Sequence, residues 1–234
     1  MKRELTNRIR FVIEDCLPPI LRDTAAFRAL ARIVWGKHID DLAEFRRRAA
    51  ELMPAEYEAL YRNHPRVHAE TDNSAACVEK IIADVVGESV CDVGCGTGYL
   101  IERIQQARAG GVKLFVGVDF VVPKSANAGI ELIEAPIEAL PFADGAFDTV
   151  VCTHVIEHIL DYAKAISELR RIARQRLIIV VPREREGIYT FNPHFNFYPY
   201  KHSFLRAMIP LPGNYVCIDI GRDIYYCEER AVSA

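Results

Sequence analysis

The sequence predicts an α/β fold in which a doubly wound, mostly parallel sheet follows an N-terminal helical cap. From about residue 89 onward, short apolar runs alternate with helical patterns, as in chains of strand–helix–strand units. The run at 177–181 is apolar throughout, which is typical of a parallel strand buried on both faces. A glycine-rich turn joins the first apolar run to a helical pattern, and this predicts a cofactor cradle at the carboxyl edge of the sheet.

Size and composition set limits on the class of protein. The chain has 234 residues, half of them hydrophobic, which suits one α/β domain with an appendage. A net charge of -3 provides no basic field, so no nucleic-acid partner is expected. No apolar run is long enough for a bilayer, so no membrane partner is expected either. The N-terminal residues lack a signal-peptide pattern. The sequence has seven cysteines, an odd number with no paired spacing, and this favours a reducing, cytoplasmic location.

The first seventy residues have apolar residues at helical spacing, which predicts a helical cap domain over 1–70. This cap is expected both to pack on the main domain, 71–234, and to close over it. Arg46, Arg47 and Arg48 are interpreted as a solvated helix face. The predicted inward-facing residues of the three helices are Ile9, Val12, Ile13 and Cys16; Phe27, Leu30, Ala31 and Val34; and Leu42, Phe45, Ala49, Leu52 and Met53.

The main domain begins with a cluster of helix-capping residues at 71–74, followed by a helix that ends at Gly87. The tail predicts a hairpin closed at 221–223, so the sheet should finish with an antiparallel pair. Strands are predicted at 89–93, 113–118, 130–133, 147–152, 177–181, 215–220 and 224–227. Helical segments are predicted at 100–109, from Pro123, at 154–159, after Asp161 and at 203–208.

The spacing of the glycines separates two kinds of nucleotide site. A dinucleotide fingerprint reads G-x-G-x-x-G, but here the pattern is Gly94-x-Gly96-x-Gly98, and Tyr99 stands where the third glycine would be needed. Asp119 ends the second strand, in the place of an acid whose two oxygens can accept the hydroxyls of a ribose. A nicotinamide-dependent oxidoreductase is therefore disfavoured but stays as an alternative.

The segment 91–98, with the sequence CDVGCGTG, resembles motif I of class I S-adenosylmethionine-dependent methyltransferases. The segments 137–148 and 153–159 resemble the adenine-side loop with the fourth strand and the stretch after that strand. The resemblance covers about residues 74–182. It implies a seven-stranded Rossmann-like methyltransferase fold with one antiparallel strand, and S-adenosylmethionine as cofactor, with S-adenosylhomocysteine as product.

The resemblance also implies a set of cofactor-binding residues. Asp92, Gly94, Gly96 and Gly98 would hold the methionine part, and Asp119 and Phe120 the ribose and the adenine edge. Further cofactor contacts are predicted at Cys95, Pro136, Ile137, Thr153 and His154. The chain departs from the family at Pro136, where an acid often binds the adenine amino group, so adenine would rely on backbone groups, apolar contacts or Glu138. The crossover 120–129 is also short.

Catalytic residues are harder to predict, because S-adenosylmethionine carries its own electrophile and the protein mainly positions and desolvates the reactants. His154 and His194 are the candidates, His154 as a base at the cofactor rim or as a positioning residue. His154, Glu157 and His158 also match H-x-x-E-H, a zinc pattern, but the resemblance already accounts for them and no metal is expected. The aromatic segment 189–202 would line the acceptor pocket.

The leading hypothesis is an enzyme that transfers a methyl group to a hydroxyl, or an amine, of an aromatic or amphipathic small molecule. The alternatives are a non-catalytic cofactor-binding or scaffold protein and the oxidoreductase named above. A protein acceptor also remains open, and the sequence does not indicate the oligomeric state.

Overall fold

The structure is a computed structural model. It describes residues 12–13, 17–53, 56–57, 59, 70–122, 127–189 and 192–230. The chain divides into two compact units, one of 1–68 with 184–199 and the other of 69–183 with 200–234. The segment 184–199 therefore groups with the N-terminal helices in the first unit.

Three short helices of the first unit are described over their whole length. They are α1 (Pro19–Arg22), α2 (Ala25–Trp35) and α3 (His38–Arg47), followed by a 3-10 turn at Ala49–Glu51. The predicted inward faces hold for Ala31, Leu42 and Phe45, which are buried. They do not hold for Leu30 and Met53, whose exposed fractions are 60% and 64%. The positions Ile9 and Cys16 lie outside the described residues.

The second unit alternates helices and strands as the sequence predicts. Its helices are α4 (Ala75–Asp84), α5 (Tyr99–Arg108), α6 (Tyr162–Ile172) and α7 (Lys201–Ala207), with a 3-10 turn at Ile156–His158. Its strands are β1 (Ser89–Val93), β2 (Leu114–Asp119), β3 (Ile130–Glu134), β4 (Phe147–Thr153), β5 (Ala173–Pro182), β6 (Tyr215–Ile220) and β7 (Asp223–Glu229). The helix predicted from Pro123 falls on 123–126, outside the described residues.

The seven strands form one sheet in the order β3-β2-β1-β4-β5-β7-β6. β1 to β5 pair in parallel, whereas β7 runs antiparallel to both β5 and β6. Ile220 pairs with Asp223, so the hairpin predicted at 221–223 is confirmed. The strand order reverses between β1 and β4, and ligands of doubly wound sheets bind at the carboxyl ends of the strands at such a point. The predicted Rossmann-like methyltransferase fold is thus confirmed.

Helices cover both faces of the sheet. α4 and α5 pack with β1, β4, β5 and β7 in one apolar cluster that includes Ile81, Ile104, Val151 and Ile178. α6 packs against β4 and β5. The capping residues act as expected, because Ser74 accepts a hydrogen bond from the Cys77 N–H and Asp161 one from the Lys164 N–H. These helices hold the carboxyl ends of the strands in fixed positions.

Two boundaries differ from the sequence prediction. β5 begins at Ala173, directly after α6, rather than at 177, and Ala173 already pairs with Phe147 of β4. Arg174 and Gln175 both donate hydrogen bonds to the Asp148 carboxylate. α7 begins at Lys201 rather than at 203. None of the six cysteines described by the structure forms a disulfide, and within the described ranges no helix is long and apolar enough to cross a membrane.

Candidate active site

The turn between β1 and α5 forms the centre of the candidate site. Gly94, Gly96 and Gly98 all have positive φ values, of 80°, 57° and 82°, which glycine adopts without steric cost. The N–H groups of Gly94 and Cys95 both donate to the Val118 carbonyl oxygen, at 2.7 and 2.9 Å. The turn is therefore fixed to the end of the neighbouring strand β2.

The first and last of these glycines have different surroundings. A Cβ on Gly94 would lie 2.1 Å from Cγ2 of Val155, so the turn after β4 packs directly on this residue. A Cβ on Gly98 would meet nothing within 4 Å. Gly98 is also the N-cap of α5 and provides no side chain to cap the helix. The open side of the turn is therefore at Gly98 and the start of α5, where a ligand can approach the backbone.

Asp119 stands at the end of β2, opposite the turn. Its Oδ2 accepts a hydrogen bond of 2.7 Å from the Gly96 N–H, and its Oδ1 accepts one of 3.2 Å from the Val121 N–H. The sequence predicts this carboxylate as a ribose ligand, and the structure adds that it fixes the glycine turn. Each carboxylate oxygen can accept more than one hydrogen bond, so both functions are compatible.

Asp92, the last acidic residue before the turn, is almost completely buried, with an exposed fraction of 1%. Neither carboxylate oxygen has a hydrogen-bond partner among the described residues. Burial, and after it the charge of Asp119, raises the pKa of Asp92 to about 7. A buried acceptor left without a donor is costly, and such groups in native proteins have a specific explanation. A bound cation or donor would remove the cost.

A second buried acceptor comes from the capping cluster before α4. Asn73 has an exposed fraction of 1%, and its Oδ1 has no partner within the described part of the chain. Its Nδ2 donates to Oγ1 of Thr71 at 3.0 Å and to Oγ1 of Thr153 at 2.9 Å. The Thr97 hydroxyl donates to the Glu70 carbonyl at 3.1 Å, which connects the same segment to the glycine turn. The sequence predicts Asn73 only as a helix-capping residue.

His154 follows β4 and lies between two acidic residues. Nδ1 is 3.5 Å from Oε1 of Glu157, and Nε2 is 3.7 Å from Oδ1 of Asp223. Burial alone would lower the pKa of His154, but Glu157, Asp223 and Asp72 outweigh it, so the pKa is raised. The imidazole is thus held towards its protonated form. No sequence signal indicated Asp223, which comes from the distant strand β7.

The zinc pattern lacks the geometry that it requires. Two histidines four residues apart bind one metal when they share a face of an α-helix. Here His154 has a φ of 55°, in the left-handed region, and only Ile156–His158 forms a 3-10 turn. The two histidines therefore do not lie on one α-helical face.

The predicted adenine-side residues lie next to Asp119. The Ala135 N–H donates to the Asp119 carbonyl oxygen at 3.1 Å, which brings the start of this loop beside the end of β2. Ile137 is buried, Phe120 is half-buried and Pro136 is exposed. Burial raises the pKa of Glu138, the acid that could replace the missing family residue. Another predicted contact, Cys95, is buried. Its side chain lies over Gly117, because a Cβ added to Gly117 would be 3.0 Å from Sγ of Cys95.

His194, the second catalytic candidate, belongs to the other compact unit. It is buried, and its Nδ1 lies 2.7 Å from Oε2 of the buried Glu184. A carboxylate in this position fixes the tautomer and the ring orientation of an imidazole. The structure does not test the catalytic roles predicted for His154 and His194, and both stay predictions.

Comparisons with known proteins agree with this architecture. Residues 91–181 match a family model described as a methyltransferase domain. A demethylmenaquinone methyltransferase of Thermus thermophilus is 39% identical over 92 residues, which are 36% of this chain and 41% of that protein. The ubiquinone/menaquinone biosynthesis C-methyltransferase UbiE of Geobacter sulfurreducens is 34% identical over 143 residues, which are 54% of this chain and 52% of that protein. The chain thus spans about half or less of the length of these curated relatives.

A solved structure shares the fold. The methyltransferase in a complex with the Trm112 methyltransferase activator of Haloferax volcanii has a TM-score of 0.51 at 15% identity, with 77% of this chain and 94% of that chain covered. The seven-stranded order, the glycine turn at 94–98 and the match over 91–181 point to the same family. Residues 91–181 therefore match the methyltransferase domain family, and they lie within a sheet of the Rossmann-like methyltransferase fold.

Proposed function

We propose that this chain is an S-adenosylmethionine-dependent methyltransferase that acts on a small aromatic acceptor bearing a hydroxyl group. The observation that carries the proposal is Asp92, a buried carboxylate with no partner among the described residues, at the end of β1 next to a glycine turn with an open side. S-adenosylmethionine is cationic at its sulfonium and ammonium groups. A site that offers unsatisfied acceptors and negative charge is suited to such a ligand.

The described residues fit each part of this cofactor. Asp92 would face the cationic methionine part, and the open backbone at Gly98 would allow a close approach. Asp119 would accept the ribose hydroxyls. Ile137 and Phe120 would provide apolar contacts for adenine, beside the backbone of the loop that follows β3.

When bound, S-adenosylmethionine would supply an electrophilic methyl group. This chain therefore has to bind and orient the two reactants and to exclude water from them. Because Glu157 and Asp223 hold His154 towards its protonated form, we infer that it is a positioning residue that donates a hydrogen bond. Its buried neighbours limit the access of water to this edge of the sheet. In the other unit, the Glu184–His194 pair is our candidate for removing the acceptor proton, and the geometry within that pair supports this role.

The choice of acceptor rests on the relatives and on general chemistry. The two curated relatives are named for demethylmenaquinone methylation and for C-methylation in quinone biosynthesis. Loss of a proton from an aromatic hydroxyl spreads negative charge over the oxygen and over ring carbons. We therefore propose a hydroxylated aromatic acceptor, with the hydroxyl oxygen as the methylated atom and a ring carbon as the competing one.

Two measurements test this function. Titration calorimetry with S-adenosylmethionine and S-adenosylhomocysteine should show binding of both, whereas NAD should not bind. Incubation with methyl-labelled cofactor and a panel of hydroxylated aromatics should then give a labelled product, whose fragmentation by mass spectrometry identifies oxygen or carbon. Absence of binding to both adenosyl ligands would reject the proposal. Binding without transfer to any acceptor would favour a non-catalytic protein.

A matched pair of variants connects binding to the site. Asp119→Asn should weaken S-adenosylhomocysteine binding by on the order of tenfold or more, because it removes a charged acceptor for hydroxyl groups. Glu131→Gln makes the same change on an exposed residue of β3 and should leave affinity unchanged. Equal affinities for the two variants would place the adenosyl ligand elsewhere.

A further inference from the structure

We propose that Asn73 is a cofactor-binding residue that, with Asp92, receives the α-ammonium group of the methionine part of S-adenosylmethionine. This inference rests on the proposed function and adds a residue to that site. Asn73 lies before α4, outside the stretch 91–181 that matches the family model.

The first step is the orientation of the Asn73 amide. Both hydrogen atoms of Nδ2 are used, one by the Thr71 hydroxyl and one by the Thr153 hydroxyl. The Asn73 backbone N–H also donates to Oγ1 of Thr71, at 3.1 Å. With both Nδ2 hydrogens used in this way, Oδ1 is the free end of the amide. That oxygen is buried and has no donor in the part of the chain that the structure describes.

The second step is the position of Asn73 relative to Asp92. Asp92 on β1 pairs with Val151 on β4, so their side chains point to the same face of the sheet. Thr153 lies two residues beyond Val151 and also points to that face. Because Asn73 is hydrogen-bonded to Thr153, its amide lies on the same face and at the same carboxyl edge as Asp92.

The third step is the chemistry that these two groups share. An ionised carboxylate and an amide oxygen only accept hydrogen bonds, and neither has a donor among the described residues. An ammonium group has three donors and no acceptor, so it satisfies both groups at once. A carboxylate or a ribose hydroxyl would leave one of them unsatisfied or repelled. Among the parts of the cofactor, the α-ammonium is the one that matches this pair.

The test compares ligands with and without the amino group. S-adenosylhomocysteine and its desamino analogue, which has hydrogen in place of the α-amino group, are titrated by calorimetry into the wild-type chain and into Asn73→Ala. In the wild type, we expect the desamino analogue to bind on the order of 10- to 100-fold more weakly, as for a lost hydrogen bond to a charged group. In Asn73→Ala, the difference between the two ligands should become smaller, because only Asp92 then receives the amino group.

Controls separate this inference from a structural effect. Asn214→Ala makes the same change on an exposed asparagine and should keep the wild-type difference between the ligands. Asn73→Asp restores an acceptor and should restore that difference, and it replaces the alanine variant if the latter fails to fold. 5′-Methylthioadenosine, which lacks the whole amino-acid part, should bind the wild type and every Asn73 variant equally.

The outcomes distinguish the two proposals. If Asn73→Ala weakens all three ligands by the same factor, or weakens none, the inference is overturned while the methyltransferase function stands. If the wild-type chain binds no adenosyl ligand, the proposed function fails, and the inference fails with it. A difference between the ligands that becomes smaller in Asn73→Ala, but not in Asn73→Asp or Asn214→Ala, supports the inference.

Discussion

The carboxyl group of Asp92 has a pKa of about 7 instead of 3.8, because burial and the charge of Asp119 both disfavour its ionised form. In the unfolded chain the group ionises near its ordinary value. The unfolded state therefore binds fewer protons than the folded one between these two pKa values, and stability falls as pH rises from about 4 to about 7. Above that range the cost is constant, at roughly 4 kcal/mol, since one pKa unit corresponds to about 1.4 kcal/mol.

Asp92→Asn should therefore stabilise the ligand-free protein at pH 8 by about 2–4 kcal/mol, because the amide stays neutral. At pH 5, only about one unit above the ordinary pKa of 3.8, the gain should be less than half as large. Urea unfolding at the two pH values measures both quantities. The same variant should bind S-adenosylhomocysteine more weakly, because the cationic amino group loses its charged acceptor.

Asp148 is a matched control for this prediction. It has the same exposed fraction of 1%, on the adjacent strand β4, but its surroundings differ. Burial alone would raise the pKa of Asp148, but hydrogen bonds from Glu88, Arg174, Gln175 and Ser89 lower it to about 2. Asp148→Asn should thus destabilise at pH 8. If both variants destabilise the protein at pH 8, the ionised carboxylate of Asp92 does not lower the free energy of unfolding as proposed.

At the scale of elements, the glycine turn joins β1, α5 and the segment after β4. Gly94 and Gly98 have nearly the same φ, 80° and 82°, so an alanine at either position carries a similar backbone cost of about 1–2 kcal/mol. Only at Gly94 does the added Cβ meet another element, Cγ2 of Val155 at 2.1 Å. The pair of alanine variants thus separates backbone strain from packing between elements.

Gly94→Ala should destabilise the protein more than Gly98→Ala, by on the order of 1–3 kcal/mol, which is the usual cost of overpacking. Val155→Ala, combined with Gly94→Ala, should recover part of the loss because it removes the overlapping methyl groups. Urea unfolding of the four single and double variants gives the coupling energy between the two positions. If Gly94→Ala and Gly98→Ala are equally unstable, or if no coupling is found, Val155 does not fix the turn.

The sheet was predictable because apolar runs of β1, β2, β4 and the core of β5 are buried and continuous in sequence. The first residues of β5 were not, because Arg174 and Gln175 are polar and pair with Asp148, which lies 26 and 27 residues earlier. Local pattern carries no information about such a partner. The same reason explains the unpredicted exposure of Leu30, whose apolar character fits a helix face without showing what covers it.

In the candidate site, the sequence predicted the glycine turn and Asp119, because both belong to one strand–turn–helix–strand unit with fixed spacing. It did not predict Asp223 beside His154 or the amide of Asn73 bonded to Thr153, because each is brought to the site by a distant strand or helix. The one available signal for Asn73 was its place in the capping cluster just before α4.

At the scale of the whole molecule, the first unit joins segments that are distant in sequence. The Arg46 side chain donates to the Gly187 carbonyl at 2.6 Å, and its guanidinium lies 4.7 Å from the centroid of the Phe197 ring. Phe45 contacts Phe195, with centroids 5.1 Å apart, and the buried Arg22 donates to the Glu186 carbonyl. The interpretation of 46–48 as a solvated face is therefore wrong for Arg46, whose side chain is only 11% exposed.

The neighbouring Arg47 provides a matched control, because it is 67% exposed and pairs with Glu44 one helical turn earlier. Arg46→Met should cost on the order of 2–3 kcal/mol through the lost charged hydrogen bond and the lost contact with Phe197. Arg47→Met should change stability by about 0.5 kcal/mol or less, as is usual for exposed ion pairs. Limited proteolysis, with the products identified by mass spectrometry, measures the local effect.

Cleavage within 184–199 should become faster in Arg46→Met, while the sheet unit stays resistant, because the lost contacts lie within the first unit. Arg47→Met should give the wild-type cleavage pattern. Equal cleavage in the two variants would show that Arg46 does not hold this segment on the N-terminal helices. Faster cleavage throughout the sheet in Arg46→Met would instead show that the two units unfold together. The two units would then not be independently stable parts of the chain.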